Sequence, residues 1–225
     1  MNAKKWVALV LFAVATAVNI TGNWIDSELM MRLSKPLLMP LVLLNALLAL
    51  EGTAAPKNLA VLLSFALCFH CGGDVFLMLG SFPLFVAGLS CFLIGHIFYI
   101  TIFAKSGVFS GGSKVVLGLS IALTLLIVLS LVLLLKFEGP IKYAVFVYGS
   151  LLLFVAVCGL WGIFNAKKRV YWLTFCGGLI FVLSDVLVAC NSLLDIRFPG
   201  IGVAIMSTYI LAECLIVTSI VGNVR

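Results

Sequence analysis

Val115–Leu135 reads VVLGLSIALTLLIVLSLVLLL, with Lys114 before it, Lys136 after it and no ionisable side chain between. A helix needs about 20 apolar residues to cross roughly 30 Å of hydrocarbon, and this run supplies them. Inside lipid a chain must satisfy its own backbone, so such a run is a helix. Working outward, comparable runs occupy 6–24, 29–50, 58–79, 82–104, 142–164, 170–190 and 200–221. The pattern predicts an all-α polytopic membrane protein: one bundle of eight transmembrane helices forming a single integral membrane domain over 1–225. In the second run Leu37–Leu50 alone is too short, so that helix starts before Pro36 and carries Arg32 and Lys35 in its first turns, where proline is cheap. The connections are short and rich in turn residues: Gly52 to Pro56, Gly80-Ser81, Gly111-Gly112 and Gly139-Pro140.

Composition agrees. The chain has 225 residues, 64% hydrophobic and 10% charged, with a mean hydropathy of +1.30. An ordinary soluble domain has about a quarter of its residues charged, and disordered and collagen-like chains are excluded as well. The net charge is +6, but the basic residues are scattered between apolar runs, which fits loop anchoring and gives nucleic acid no basic patch. With the N-terminus inside, Lys4, Lys5, Lys57, Lys105, Lys114, Lys167, Lys168, Arg169 and Arg225 fall on the inner side. Arg32, Lys35, Lys136, Lys142 and Arg197 fall outside. Nine against five predicts cytoplasmic termini. Lys4 and Lys5 before Trp6–Ile20 imitate a signal peptide, but no small-residue cleavage site follows, so the segment reads as an uncleaved first span. Trp6, Trp24 and Trp172 read as interfacial anchors. The seven cysteines show neither a disulfide framework nor a zinc spacing and read as small packing residues.

A weak internal echo at an offset of 111 lays Gly73-Asp74-Val75 over Ser184-Asp185-Val186, and spans one to four over five to eight. Such a 4+4 repeat would be parallel, because an even number of spans restores the orientation; coincidence is the alternative.

A charge near the middle of a membrane helix costs about 2.5–3.5 kcal/mol on insertion scales. Asp74, Asp185, Glu213, His70 and His96 all lie within spans, so they should face the bundle interior and are candidates for function. Each also has a bland reading as a packed, hydrogen-bonded side chain. His70 precedes Asp74 by four residues and shares its face. His96 has Tyr99 beside it, Asp185 has Ser184 and Asn191, and Glu213 has Tyr209 one turn before. Lys35 reads either as a snorkelling cation or as one aimed at a lipid phosphate. Walker, nucleophile-elbow and His-Glu-x-x-His motifs are missing from the sequence.

Lys35-Pro36-Leu37 opening a span, Gly73-Asp74 in the third, Gly95-His96 followed by Tyr99 in the fourth, and Phe181-x-x-Ser184-Asp185 in the seventh occur in that order. Together they resemble the lysoplasmalogenase family of multi-pass membrane proteins, over nearly the whole chain. The resemblance implies eight helices and hydrolysis of the vinyl ether bond of lysoplasmalogen. The products would be a fatty aldehyde and glycerophospho-ethanolamine or -choline. It also implies that Asp74 and Asp185 are the catalytic residues. One departure is the last span, where such proteins often carry Gln after a Tyr and this chain has Tyr209 and Glu213; His70 lies outside the motif set. The expected location is a bacterial cytoplasmic membrane.

A vinyl ether is hydrolysed by slow proton transfer to carbon, then by attack of water on an oxocarbenium ion. That needs a general acid and a second carboxylate to stabilise the cation or activate water, as paired carboxylates do in glycosidases. Asp74 and Asp185 are the candidates, with His96, Tyr99, Ser184 and Glu213 in support and Lys35 on the substrate phosphate. The expected partners are a lysophospholipid substrate and membrane lipids, with no nucleic acid, no cofactor and no metal; the oligomeric state stays open. Two alternatives are a proton-coupled transporter using the intramembrane acids and a metal-dependent membrane hydrolase with His70, Asp74, His96 and Asp185 as ligands.

Overall fold

The computed structural model describes residues 3–136, 139, 141–194 and 196–224. Arg225, counted above with the inner charges, and Pro140 of the fifth connection lie outside the described residues. Among the described residues the chain forms eight helices, each long and apolar enough to span a membrane. They are α1 Ala3–Trp24, α2 Glu28–Leu50, α3 Lys57–Met78, α4 Phe82–Lys105, α5 Lys114–Leu134, α6 Ile141–Phe164, α7 Tyr171–Ser192 and α8 Ile201–Gly222. The turns between them follow the sequence punctuation. Gly80, with φ +75°, makes the tight reversal from α3 to α4, a conformation glycine adopts without a Cβ penalty.

Pro36 is not a first-turn residue. α2 begins at Glu28, so Pro36 and Pro40 both lie in its interior. Pro40 has no N–H to give the carbonyl of Pro36, and lipid offers that oxygen no substitute. The substitute comes from α3: Cys71 Sγ donates to Pro36 O at 3.4 Å. The thiol therefore ties α3 to α2 one residue from Lys35.

The helices close into a ring in the order α1, α2, α3, α4, α6, α7, α8, with α8 returning to α1 and α2. α5 stands outside this ring and packs on α6, burying Thr124, Val128 and Val132. Neighbours follow the 111-residue offset at most places. α3 on α4 answers α7 on α8, α1 on α2 answers α5 on α6, and α2 on α8 answers α6 on α4. The exception is α1 on α8, because no comparable packing joins α5 to α4.

Apolar surface drives little helix association in lipid, so close backbone approach and polar ties must do it. At Gly159 an added Cβ would lie 2.3 Å from the backbone nitrogen of Phe175, and at Gly178 one would lie 2.7 Å from the backbone nitrogen of Ala156. The two glycines are where α6 and α7 nearly touch. Gly159→Ala cannot be absorbed by a side-chain rotation, because backbone is in the way. It should cost about 1–3 kcal/mol, the usual range for overpacking, seen as a lower unfolding temperature in detergent. A variant as stable as the parent would mean that α6 and α7 can separate freely.

Candidate active site

The intramembrane charges gather in the bundle interior in three groups. In the first, Tyr209 of α8 donates its hydroxyl to Asp74 Oδ2 at 2.8 Å, and Lys35 Nζ of α2 lies 3.6 Å from Asp74 Oδ1. Asp74 is 2% exposed. In the second, Tyr148 of α6 donates its hydroxyl to Asp185 Oδ2; among the described residues no Lys or Arg pairs with Asp185. In the third, Glu213 accepts from Tyr99 Oη at 2.6 Å and its other oxygen stands 2.5 Å from His70 Nδ1, a close contact that is not aligned as a hydrogen bond.

His96 sits beside this third group, its ring 4.8 Å from that of His70. Its Nδ1 lies 2.6 Å from the carbonyl of Phe92. A carbonyl can only accept, so Nδ1 carries the proton in this pose and Nε2 is left without a partner. Gly95 makes room for the arrangement: a Cβ there would lie 2.1 Å from the His70 ring.

Two phenylalanine rings join the groups. Phe181 meets His96 edge-on at 4.8 Å and Tyr209 at 5.5 Å. Phe92 meets Tyr209 at 5.9 Å and also lines a cavity of about 340 Å³ between α4, α5, α6 and α7. The cavity wall is almost wholly apolar, with Tyr148 and Asp185 as its polar pair. Asp185 thus faces the cavity, while Asp74 and Tyr209 stand one aromatic ring behind it.

The sequence candidates are sorted by this geometry. Asp74, Lys35 and Tyr209 come together. Glu213 and Tyr99 come together with His70 and His96. Ser184 does not serve its neighbour Asp185; its hydroxyl donates to the carbonyl of Ile205 at 3.1 Å and ties α7 to α8. His70 shares a face with Asp74 but turns to Glu213. Tyr148, Asp185's partner, was not singled out from sequence; the available signal was a hydroxyl in an apolar span, followed by Gly149-Ser150. The four side chains weighed as a metal set each turn to other partners. Among the described residues no group of three or more His, Cys, Asp and Glu is disposed to hold a metal ion.

A match to the YhhN family covers residues 30–220. The chain belongs to the YhhN family. That family includes lysoplasmalogenase, in agreement with the resemblance carried by the ordered motifs. All three charge groups lie inside the matched stretch, whereas α1 lies before it. No curated protein and no solved structure matches this YhhN-family chain.

Proposed function

We propose that this YhhN-family protein is a membrane lipid hydrolase that opens the vinyl ether bond of lysoplasmalogen by two-carboxylate chemistry. One observation carries the reading: a buried carboxylate, Asp74, and a partly buried one, Asp185, each held by a tyrosine hydroxyl from another helix, with Asp185 on the wall of an apolar cavity inside the membrane span. Asp185 is the general acid. Among the described residues it has no paired cation, and it faces the cavity where a lipid can lie, so it gives its proton to the enol ether carbon next to the chain. The C–O carbon becomes an oxocarbenium ion. Asp74, paired with Lys35, supplies the negative charge that stabilises this cation, an interaction strengthened by the low dielectric around it. Water adds to the cationic carbon and loses a proton to Asp185. The hemiacetal then breaks to a fatty aldehyde and the free glycerol hydroxyl.

Lys35 has a second task. An ammonium has three donors, so it can serve Asp74 and a substrate phosphate together. Lys35→Met is expected to raise KM for phosphate-bearing substrates by roughly tenfold, about 1.4 kcal/mol of binding, and to lower kcat as well because Asp74 loses its counter-charge. Steady-state kinetics on a lysophospholipid and on an alkenyl glycerol without phosphate checks this. An equal KM for both enzymes on the phospholipid would leave Lys35 with Asp74 alone.

The deciding experiment is turnover of a panel of lysophospholipids by purified protein in detergent, where no gradient can form. Aldehyde release from the vinyl ether members alone is the expected result. Uptake by proteoliposomes without turnover would favour a carrier. Activity lost to a strong chelator and restored by zinc would favour the metal-dependent hydrolase.

A further inference from the structure

We propose that the cavity between α4, α5, α6 and α7 is the hydrocarbon-chain site for a single-chain lipid, entered sideways from the bilayer between α4 and α5. The choice of a lipid with a cleavable linkage rests on the hydrolase reading; the chain site itself rests on four observations. First, the gap exists because the repeat is broken there. By the 111-residue offset, α1 on α8 should be answered by α5 on α4. α1 does close on α8, but α5 leans on α6 and leaves α4 across a cavity of about 340 Å³. Second, that volume sits at the lower end of the roughly 300–1,000 Å³ of small-molecule sites, and the occupant nearest to hand inside a bilayer is an acyl or alkenyl chain.

Third, the depth suits a lipid that keeps its headgroup at the surface. Phe85, near the start of α4, and Leu135 and Leu193, just past the ends of α5 and α7, mark one end of the cavity at the membrane boundary. Leu152 and Leu179 mark the deep end. Tyr148 lies seven residues into α6 and Asp185 seven residues before the end of α7, each about 10 Å in at about 1.5 Å per residue. A lipid's sn-1 linkage lies just beneath its headgroup, so it arrives beside Asp185 while the chain runs on toward Leu152 and Leu179. Fourth, the polar pair is the cavity's one chemical mark. Asp74 does not line it, so Asp185 meets the linkage first. The entering leaflet is the one on the side where α2, α4, α6 and α8 begin.

The test uses a lysophospholipid with a saturated alkyl ether, which cannot be hydrolysed by this chemistry, carrying a diazirine on its chain. Irradiated with the intact protein in nanodiscs, it should leave adducts on cavity residues of α4 and α5 such as Leu89, Phe92 and Ile127. Excess unlabelled ether lipid should reduce these adducts by about tenfold, while adducts on the lipid-facing side of α1 persist as bulk contacts. Leu179→Trp and Leu153→Trp, which fill the deep end of the cavity from α7 and from α6, should each lose the competed adducts. They should also shift the enzyme toward shorter chains. Competed adducts on other helices with none in the cavity would overturn the site. So would two monodisperse filled variants with the parent's adducts and chain preference; if turnover persisted, the hydrolase reading would stand without the site. Competed cavity adducts with no turnover of any lipid would sink the hydrolase reading and leave the chain site in place.

Discussion

Asp74→Asn and Asp185→Asn should each lower kcat by about a thousandfold, inside the roughly 10²–10⁴-fold span of general acid–base effects, while the bundle still assembles. Asparagine keeps the size of the side chain and an oxygen to accept from Tyr209 or Tyr148, so the hydrogen bonds that position both residues survive. What is lost is the ionisable proton at Asp185 and the charge at Asp74. Because the two act in one step, the double variant should be little slower than the worse single one; effects within a catalytic unit do not add. The pH–rate profile of the parent should be bell-shaped, falling on the acid side as the carboxylate partner is protonated and on the basic side as the acid partner ionises. The two apparent constants belong to the pair and not to either residue. Asp74→Asn also strands Lys35, which has Asp74 as its ion-pair partner. Adding Lys35→Met to Asp74→Asn should restore stability without restoring turnover. A folded, monodisperse Asn variant with near-parental kcat on the vinyl ether substrate would rule out the two-carboxylate mechanism.

The spans were legible because nothing else in the chain competes with their signal. Val115–Leu135, bounded by two lysines, became Lys114–Leu134, and the other boundaries also fall within a few residues of the apolar runs. Those runs end at charges, glycines and prolines, which are physical stops in lipid as much as in water. The identity of the interior residues was legible for a related reason: a carboxylate in hydrocarbon is costly, so Asp74, Asp185 and Glu213 had to turn inward. What could not be read was whom each would meet. The spans are apolar all round, so their periodicity hardly distinguishes the face that packs from the face that meets lipid. Asp74 finds its tyrosine 135 residues away and Glu213 finds Tyr99 at a separation of 114. His70, on the same face as Asp74, stands against Glu213 of α8 instead. Proline misled in a similar way: Pro36 reads as a helix opener, yet Cys71 of α3 supplies the missing donor and lets α2 run through it. The cavity was also hidden, since it arises from where α5 leans and not from any residue in its wall.

Glu213→Ala should be among the most destabilising single changes in the protein. The carboxylate is fully buried and joins three helices: α8 carries it, Tyr99 of α4 donates to it at 2.6 Å, and His70 of α3 stands at 2.5 Å. Truncation leaves a phenol and an imidazole in an apolar interior with no water to receive them. Leaving a buried polar group unpaired costs about 1–3 kcal/mol, and here two are left. Glu213→Gln keeps an acceptor for Tyr99 and gains a donor for His70, so it should recover about half of that loss. The informative comparison adds His70→Phe. The 111-residue offset sets Phe181 opposite His70, so the aromatic volume has a precedent in this fold. Replacing both members of a buried pair by apolar groups is often neutral, so His70→Phe with Glu213→Leu should unfold at a higher temperature than Glu213→Leu alone. Neither residue lines the cavity, and folded Glu213→Gln protein should keep kcat within about tenfold of the parent. That ceiling separates support of the bundle from proton transfer: a general acid–base role would cost about 10²–10⁴-fold. Thermal unfolding in detergent, read beside kcat on the same preparations, decides between them. An unfolding temperature for Glu213→Ala equal to the parent's would show that the three-helix junction does not need the carboxylate.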